Sequence, residues 1–204
     1  MKYANTIFPI HYWKKNIPNN DELKERYLSR IVDTYQNEHI GSPSEWITEK
    51  MHTSFDNIHL NNQVFGEDLP IEVYGPHIND FFDYPWNGMF QDFWFNCYID
   101  GDWQEQHCHV SERQMMKPHL SFIHYLSFDP ERHQPVTFVD PSRGVRCASF
   151  ELECTKYDAA YRPDIQEGDL LMFPSYLEHY VKRSQPTPDY PRVTISFNMH
   201  LTEY

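Results

Sequence analysis

Apolar and polar positions alternate with two different periods along this chain. Asn19 and Asn20 carry side-chain oxygens able to cap a helix, and Asp21 and Glu22 make its first turn acidic. Leu23, Tyr27, Ile31 and Tyr35 then recur every four residues, so the spacing predicts one amphipathic helix over residues 21–37. From 38 to 75, Gly41, Pro43, Asn57, Asn61, Asn62, Gly66 and Pro70 interrupt scattered apolar residues, and the expectation is loops with at most a short strand or helix near Trp46. From Met89 onward short β-rich runs follow one another: 89–98, 120–128, 135–139, 149–154, 169–173, 179–182 and 192–201. Turn residues such as Asp100-Gly101-Asp102, Asp129-Pro130-Glu131, Asp140-Pro141-Ser142 and Glu167-Gly168-Asp169 separate them.

The last run has the clearest period of two. Val193, Ile195, Phe197 and Met199 share one face, and Arg192, Thr194, Ser196 and Asn198 share the other, which looks either at solvent or into a polar cavity. Many short strands at this spacing predict a mainly β sandwich or barrel with a helical N-terminal third packed outside. The aromatic run Phe90, Phe93, Trp94, Phe95 and Tyr98 reads as core and cavity wall, while Trp86, Trp103 and Tyr176 could line a substrate cleft or cover an open barrel edge.

Composition narrows the class. At 204 residues with 40% hydrophobic and 23% charged positions, the chain reads as a single domain over 1–204, with a helical and loop part over 1–88 and a β core over 89–204. Thirty acidic against seventeen basic residues give a net charge of -13, which repels phosphate backbones and argues against nucleic acid as a partner. The run Leu170-Leu171-Met172-Phe173 is too short to cross a bilayer, and the first residues lack a continuous apolar stretch, so a soluble cytoplasmic protein is expected. Cys97, Cys108, Cys147 and Cys154 form no Cys-x-x-Cys pair and fit reduced thiols.

Most of the twelve histidines read as surface or core residues, but His107-Cys108-His109 stands apart. Two histidines at i and i+2 on an extended segment place both rings on one side, close enough to share a metal ion. His179 follows the turn-strand-turn unit Gly168-Asp169-Leu170-Leu171-Met172-Phe173-Pro174-Ser175, which would present it at a strand start, and Arg192 and Thr194 come 13 and 15 residues later.

In these residues the chain resembles the iron(II)/2-oxoglutarate-dependent dioxygenases, in particular their small prolyl-hydroxylase-like branch. The resemblance covers roughly residues 89–201, with a weaker echo in Thr6-Ile7-Phe8-Pro9-Ile10 and the first helix. It implies a double-stranded β-helix, or jelly roll, with iron at its open end and 2-oxoglutarate and dioxygen as cosubstrates. It further implies His107, His109 and His179 as metal ligands. Arg192 would pair with the distal carboxylate of 2-oxoglutarate, Thr194 would donate to the same group, and His124 would take the place of a cosubstrate-binding tyrosine. Tyr98 would touch the cosubstrate or border the substrate cleft.

The family pattern has a carboxylate where this chain has His109, so the implied triad is three neutral imidazoles and the site loses a negative charge. Glu112, three residues on, is an alternative carboxylate ligand, and Glu105 a second. The bulk of His109 argues against a halide site. Two other classes stay open at this point: a three-histidine, cupin-type metal dioxygenase that does not use 2-oxoglutarate, and a non-catalytic jelly roll used for binding. The substrate would be a small molecule or a peptide or protein side chain, and the acidic exterior mildly favours basic partners.

Overall fold

A computed structural model describes residues 9–37, 41–48, 51–83, 85–110, 115–149 and 160–203. In chain order the elements are β1 (Trp13–Asn16), α1 (Asn20–Asn37), β2 (His52–Thr53), α2 (Ile58–Phe65), α3 (Pro70–Ile78), β3 (Asn87–Tyr98), β4 (Gln104–His107) and β5 (Leu120–Ser127). They continue with β6 (Val136–Val139), α4 (Arg143–Ser149), β7 (Ala160–Tyr161), β8 (Asp169–Pro174), β9 (His179–Val181) and β10 (Arg192–Glu203).

The strands form two antiparallel sheets, a six-stranded one in the order β1-β8-β5-β10-β3-β2 and a four-stranded one in the order β4-β9-β6-β7. Sequence neighbours are mostly not sheet neighbours, and this interleaving is the jelly-roll arrangement expected for a chain of short strands. The N-terminal part is not purely an outer layer, because β1 extends the large sheet beside β8 and β2 extends it beside β3.

Period-two alternation divides the large sheet into two working faces. Phe122, Leu126, Leu170, Met172, Phe95, Cys97, Val193, Ile195, Phe197 and Met199 face outward, where α1 (Leu23, Tyr27, Ile31), α2 (Leu60, Val64, Phe65) and α3 (Tyr74, Ile78) cover them in one buried cluster. Ile123, Tyr125, Leu171 and Phe173 face inward and pack with Val136 and Phe138 of the small sheet. The inward face of β10 carries Arg192, Thr194, Ser196 and Asn198, all buried. The polar stripe therefore looks into the sandwich rather than at solvent.

The helix over 21–37 forms with its first turn acidic, as the pattern requires. The segment 38–75 departs from expectation, since it holds two helices rather than loops. The residues that read as loop formers there are helix boundaries. Asn57 caps α2 by accepting from the Leu60 N–H, Gly66 closes it at φ 64°, and Pro70 opens α3 in the first turn, where its missing N–H breaks no bond. Ser149 ends α4 rather than starting a strand, and the rest of the strand expected over 149–154 lies outside the described residues. Among the described residues no helix is long and apolar enough to cross a membrane.

Candidate active site

Sheet register assembles the histidines. His107 ends β4 and sits directly opposite His179, the first residue of β9. His109 lies beyond the strand end, so strand alternation is not what brings it in; its backbone N–H donates to the Ser175 carbonyl at 2.9 Å. One ring nitrogen of each of the three lies within 4.8 Å of the others. The ring centroids are 4.3 Å (His107 to His179), 5.0 Å (His109 to His179) and 5.5 Å (His107 to His109) apart.

The second nitrogen of each ring is already engaged. His107 Nδ1 bonds the Glu105 carbonyl at 2.8 Å and His179 Nδ1 bonds the Leu177 carbonyl at 2.9 Å. A carbonyl only accepts, so both rings carry their proton on Nδ1 and offer an Nε2 lone pair. His109 Nδ1 meets Asn198 Oδ1 at 2.8 Å, to the same effect. Withdrawal from water lowers all three, with the neighbouring rings adding to it for two of them: His109 is pushed down to about 3, His179 well below the ordinary imidazole value, and His107 is lowered by burial against the opposing pull of Glu105. Three converging neutral imidazoles are a donor set for a divalent transition metal.

Two cavities meet at these rings. The inner chamber is lined by Asn96, Tyr98, Ile123, Val181, Arg192 and Thr194, among others. Arg192 is 2% exposed, its guanidinium carbon lies 4.2 Å above the Tyr98 ring and 5.4 Å from that of Tyr125, and its Nε and Nη1 have no hydrogen-bond partner. A buried cation with two unmet donors suits a carboxylate, which would accept both bonds at once. The chamber is tight, about 20 Å³, so a diacid enters it only by displacing side chains that line it. Tyr98 donates to Gln104 Oε1 at 3.1 Å, and burial pushes its phenol up to about 12 despite Arg192, so it stays protonated.

The outer cavity is a cleft of about 410 Å³ that shares His107 and His109 with the inner chamber. Its aromatic wall is Trp46, Phe55 and Trp94. Trp46 stacks on His107 at 6.2 Å and Trp94 meets His109 edge-on at 5.6 Å. The 45–48 segment is held there by Glu105, whose carboxylate accepts from the Ile47 N–H and the Thr48 hydroxyl; burial would raise this acid, but those bonds win and keep it below its usual range. Glu105 is thus a tether for the cleft wall rather than a member of the histidine cluster.

Of the residues singled out in the sequence, His107, His109, His179, Tyr98, Arg192 and Thr194 come together around the two cavities. His124 does not. It alternates with Ile123 and Tyr125 on β5 and so faces the helices, fully buried, with Nδ1 2.9 Å from the Tyr74 hydroxyl and Nε2 2.9 Å from Asn20 Oδ1. The inward tyrosine is its neighbour Tyr125, whose hydroxyl accepts from the Val136 N–H at 3.0 Å. Glu112 lies outside the described residues. Trp86, Trp103 and Tyr176 do not border the cleft, and Trp86 packs with Phe82 and Phe90 instead. Sequence reasoning missed Trp46 and Phe55 as cleft residues and Gln104 and Asn96 as lining residues, and it put Asn198 on the polar face of β10 without its bond to His109.

Residues 92–198, more than half of the chain, match the family described as "Putative 2OG-Fe(II) oxygenase". No curated protein matches. Among solved structures, a prolyl-4-hydroxylase from Pseudomonas putida is similar with a TM-score of 0.55 at 12% identity, over 94% of this chain and 92% of that one. A prolyl hydroxylase from Trichoplax adhaerens, in complex with a hypoxia inducible factor oxygen degradation domain peptide fragment, is similar with a TM-score of 0.60 at 12% identity, over 93% and 83% of the two chains. HygX from Streptomyces hygroscopicus, solved with nickel and 2-oxoglutarate bound, gives 0.55 at 12% identity over 96% and 84%. At such low identity these likenesses show the jelly-roll fold.

Proposed function

The chain belongs to the 2OG-Fe(II) oxygenase family of oxidoreductases, which use iron(II), 2-oxoglutarate and dioxygen, and from that premise we propose that it is a hydroxylase whose metal ligands are His107, His109 and His179. The observation that carries this reading is Arg192: a buried guanidinium with two free donors that lines the same chamber as the three imidazoles.

The donor set fits the group. His107, His109 and His179 would hold the metal through their three Nε2 lone pairs. When bound, iron(II) supplies the oxidising chemistry, coupling decarboxylation of 2-oxoglutarate to succinate with oxidation of a substrate C–H bond. The chain's own residues do the rest. Arg192 pairs with the distal carboxylate of the cosubstrate, and its planar fork fixes the angle at which the other end meets the metal site. Thr194, two residues along the same inward face of β10, donates its hydroxyl to that carboxylate. Tyr98 supports the guanidinium with its ring face and holds its hydroxyl on Gln104, a residue that lines both cavities. Trp46, Phe55 and Trp94 seat the substrate over His107 and His109 and exclude water from the reacting side.

The substrate is a small molecule or a peptide or protein side chain. The cleft is large enough for either, and the Trichoplax adhaerens relative bound to a peptide supports the second. A three-histidine enzyme that does without 2-oxoglutarate gives Arg192 no task. The test is an anaerobic titration of the metal-free protein with iron(II) and then 2-oxoglutarate, following the visible charge-transfer band of the chelate. The band should appear in the wild type and vanish in Arg192→Ala at the same cosubstrate concentration. Iron binding with no band in the wild type would overturn the cosubstrate assignment, and stoichiometric iron in His179→Ala would overturn the ligand set.

A further inference from the structure

Asp92 is the residue that the β3–β10 ladder leaves over. Phe93 pairs with Phe197 and Gln91 with Asn198, so Asp92 is an extra residue on β3, and it stands at φ 51°. Left-handed backbone is uncommon outside glycine, though aspartate tolerates it, and a bulge of this kind re-aims a side chain while it resets the alternation around it. Phe90 and Phe93, three residues apart, both reach Phe197 on the helix-covered face. The carboxylate of Asp92 is left pointing at the site, 3.0 Å from Asn198 Nδ2.

That contact decides which way the Asn198 amide faces. A carboxylate only accepts, so Asn198 must turn its NH₂ to Asp92 and its carbonyl oxygen to the opposite side. There Oδ1 receives His109 Nδ1–H at 2.8 Å and lies 2.8 Å from the Ser121 hydroxyl. His109 consequently keeps its proton on Nδ1 and presents Nε2 to the cluster. His107 and His179 need no such arrangement, because backbone carbonyls set their tautomers. Of the three, only His109 depends on a side-chain amide that could flip.

We propose that Asp92 is a positioning residue for His109: it fixes the orientation of Asn198 and through it the tautomer and ring plane of the third ligand. The chain thus brings a carboxylate to the metal site at two removes instead of placing one on the metal. The proposal rests on the three-histidine reading, and its first readout is independent of that reading.

In metal-free protein labelled with ¹⁵N, long-range ¹H–¹⁵N correlations report the tautomer of each histidine. His109 should show a protonated Nδ1 in the wild type and should shift towards the Nε2–H form in Asp92→Asn. Asp92→Gly, which suits the left-handed backbone and so preserves the fold, should shift it in the same way. The double variant Asp92→Asn/Asn198→Asp sets a carboxylate directly on His109 and should restore Nδ1–H. Cobalt(II) affinity should fall on the order of 10- to 100-fold in both single variants and recover in the double one. An Nε2–H tautomer in the wild type, or an unchanged tautomer and cobalt(II) affinity in both single variants, would overturn the role of Asp92. Cobalt(II) affinity unaffected by His179→Ala would instead overturn the triad, leaving the tautomer result to stand alone.

Discussion

Arg192 and Tyr98 are register partners on β10 and β3, and the guanidinium carbon of one lies over the ring of the other, 4.2 Å from its centroid. The pair explains how a cation is kept in a sealed interior with two donors unmet. A ring face is attractive to a guanidinium without accepting its in-plane N–H groups, so Nε and Nη1 keep their donors free beside it.

An unmet buried charge lowers stability, and this gives the arrangement a testable cost. Arg192→Met keeps most of the volume and removes the charge. Without cosubstrate the variant should unfold at a temperature no lower than that of the wild type. With 2-oxoglutarate and iron(II) it should lose the thermal shift that the wild type gains, because two charge-assisted hydrogen bonds of about 1.5–3 kcal/mol each have gone, roughly 100-fold or more in affinity. Thermal melts with and without the diacid read both effects. A variant that is strongly destabilised on its own would mean that Arg192 is a structural residue.

His124 is the second buried group with a measurable signature. Asn20 directs its amide nitrogen to the Leu126 carbonyl and its oxygen to His124 Nε2, so Nε2 carries the proton and Nδ1 accepts from the Tyr74 hydroxyl. Burial pushes this imidazole down to about 3. The unfolded chain, with an ordinary value near 6.5, therefore binds a proton that the folded chain refuses over roughly pH 6.5 to 3. Stability from this group is complete above about pH 6.5 and falls as pH drops, by up to ~1.4 kcal/mol per pH unit. His124→Gln can keep both hydrogen bonds without titrating. Urea unfolding of metal-free protein between pH 4 and 7 should show a shallower loss in the variant. Coincident slopes would show that His124 is not held neutral.

How much of the fold and site is legible in the sequence depends on how strongly each segment constrains itself. β10 alternates strictly, so Arg192 and Thr194 can be assigned to one face from the sequence, and turn signals mark the strand that leads to His179. β5 gives no such guide. Nearly every residue from Ser121 to Ser127 is buried, one face by helices and the other by the sandwich, so parity cannot be read and the sequence points to His124 where the structure turns Tyr125 inward. Asn57, Gly66 and Pro70 serve equally as loop formers and helix boundaries, which hides α2 and α3. Trp46 and Phe55 join the cleft only through long-range contacts, and the bulge at Asp92 leaves no mark on the hydrophobic pattern.

Phe197 tests the division of labour between the two faces of β10. Its ring stacks on Phe122 at 4.6 Å and on Tyr74 at 4.7 Å, and it is fully buried, while its neighbours Ser196 and Asn198 face the chambers. Phe197→Ala should destabilise the fold by about 3–5 kcal/mol, the range for removing a buried aromatic ring and leaving a cavity. Urea denaturation measures it. A loss under about 1 kcal/mol would mean that the helices do not depend on this face of the sheet.

The sharpest expectation concerns His109→Asp, which would put a carboxylate in place of the third imidazole. In this chain the substitution alone should weaken metal binding. The new carboxylate would meet Asn198 Oδ1, acceptor against acceptor, and Asp92 prevents the amide from turning round because only its NH₂ can face a carboxylate. Adding Asp92→Asn releases that constraint. The amide introduced at position 92 can donate to the turned Asn198 oxygen, and Asn198 can then donate to the carboxylate introduced at position 109 as a replacement for the lost histidine bond. The two substitutions, each harmful alone, should therefore be strongly non-additive, with the double variant binding cobalt(II) more tightly than either single one by at least ~10-fold, so that the coupling energy exceeds about 1.4 kcal/mol. Isothermal titration of the four proteins closes the cycle. Additive effects would show that His109 and Asp92 are not linked through Asn198.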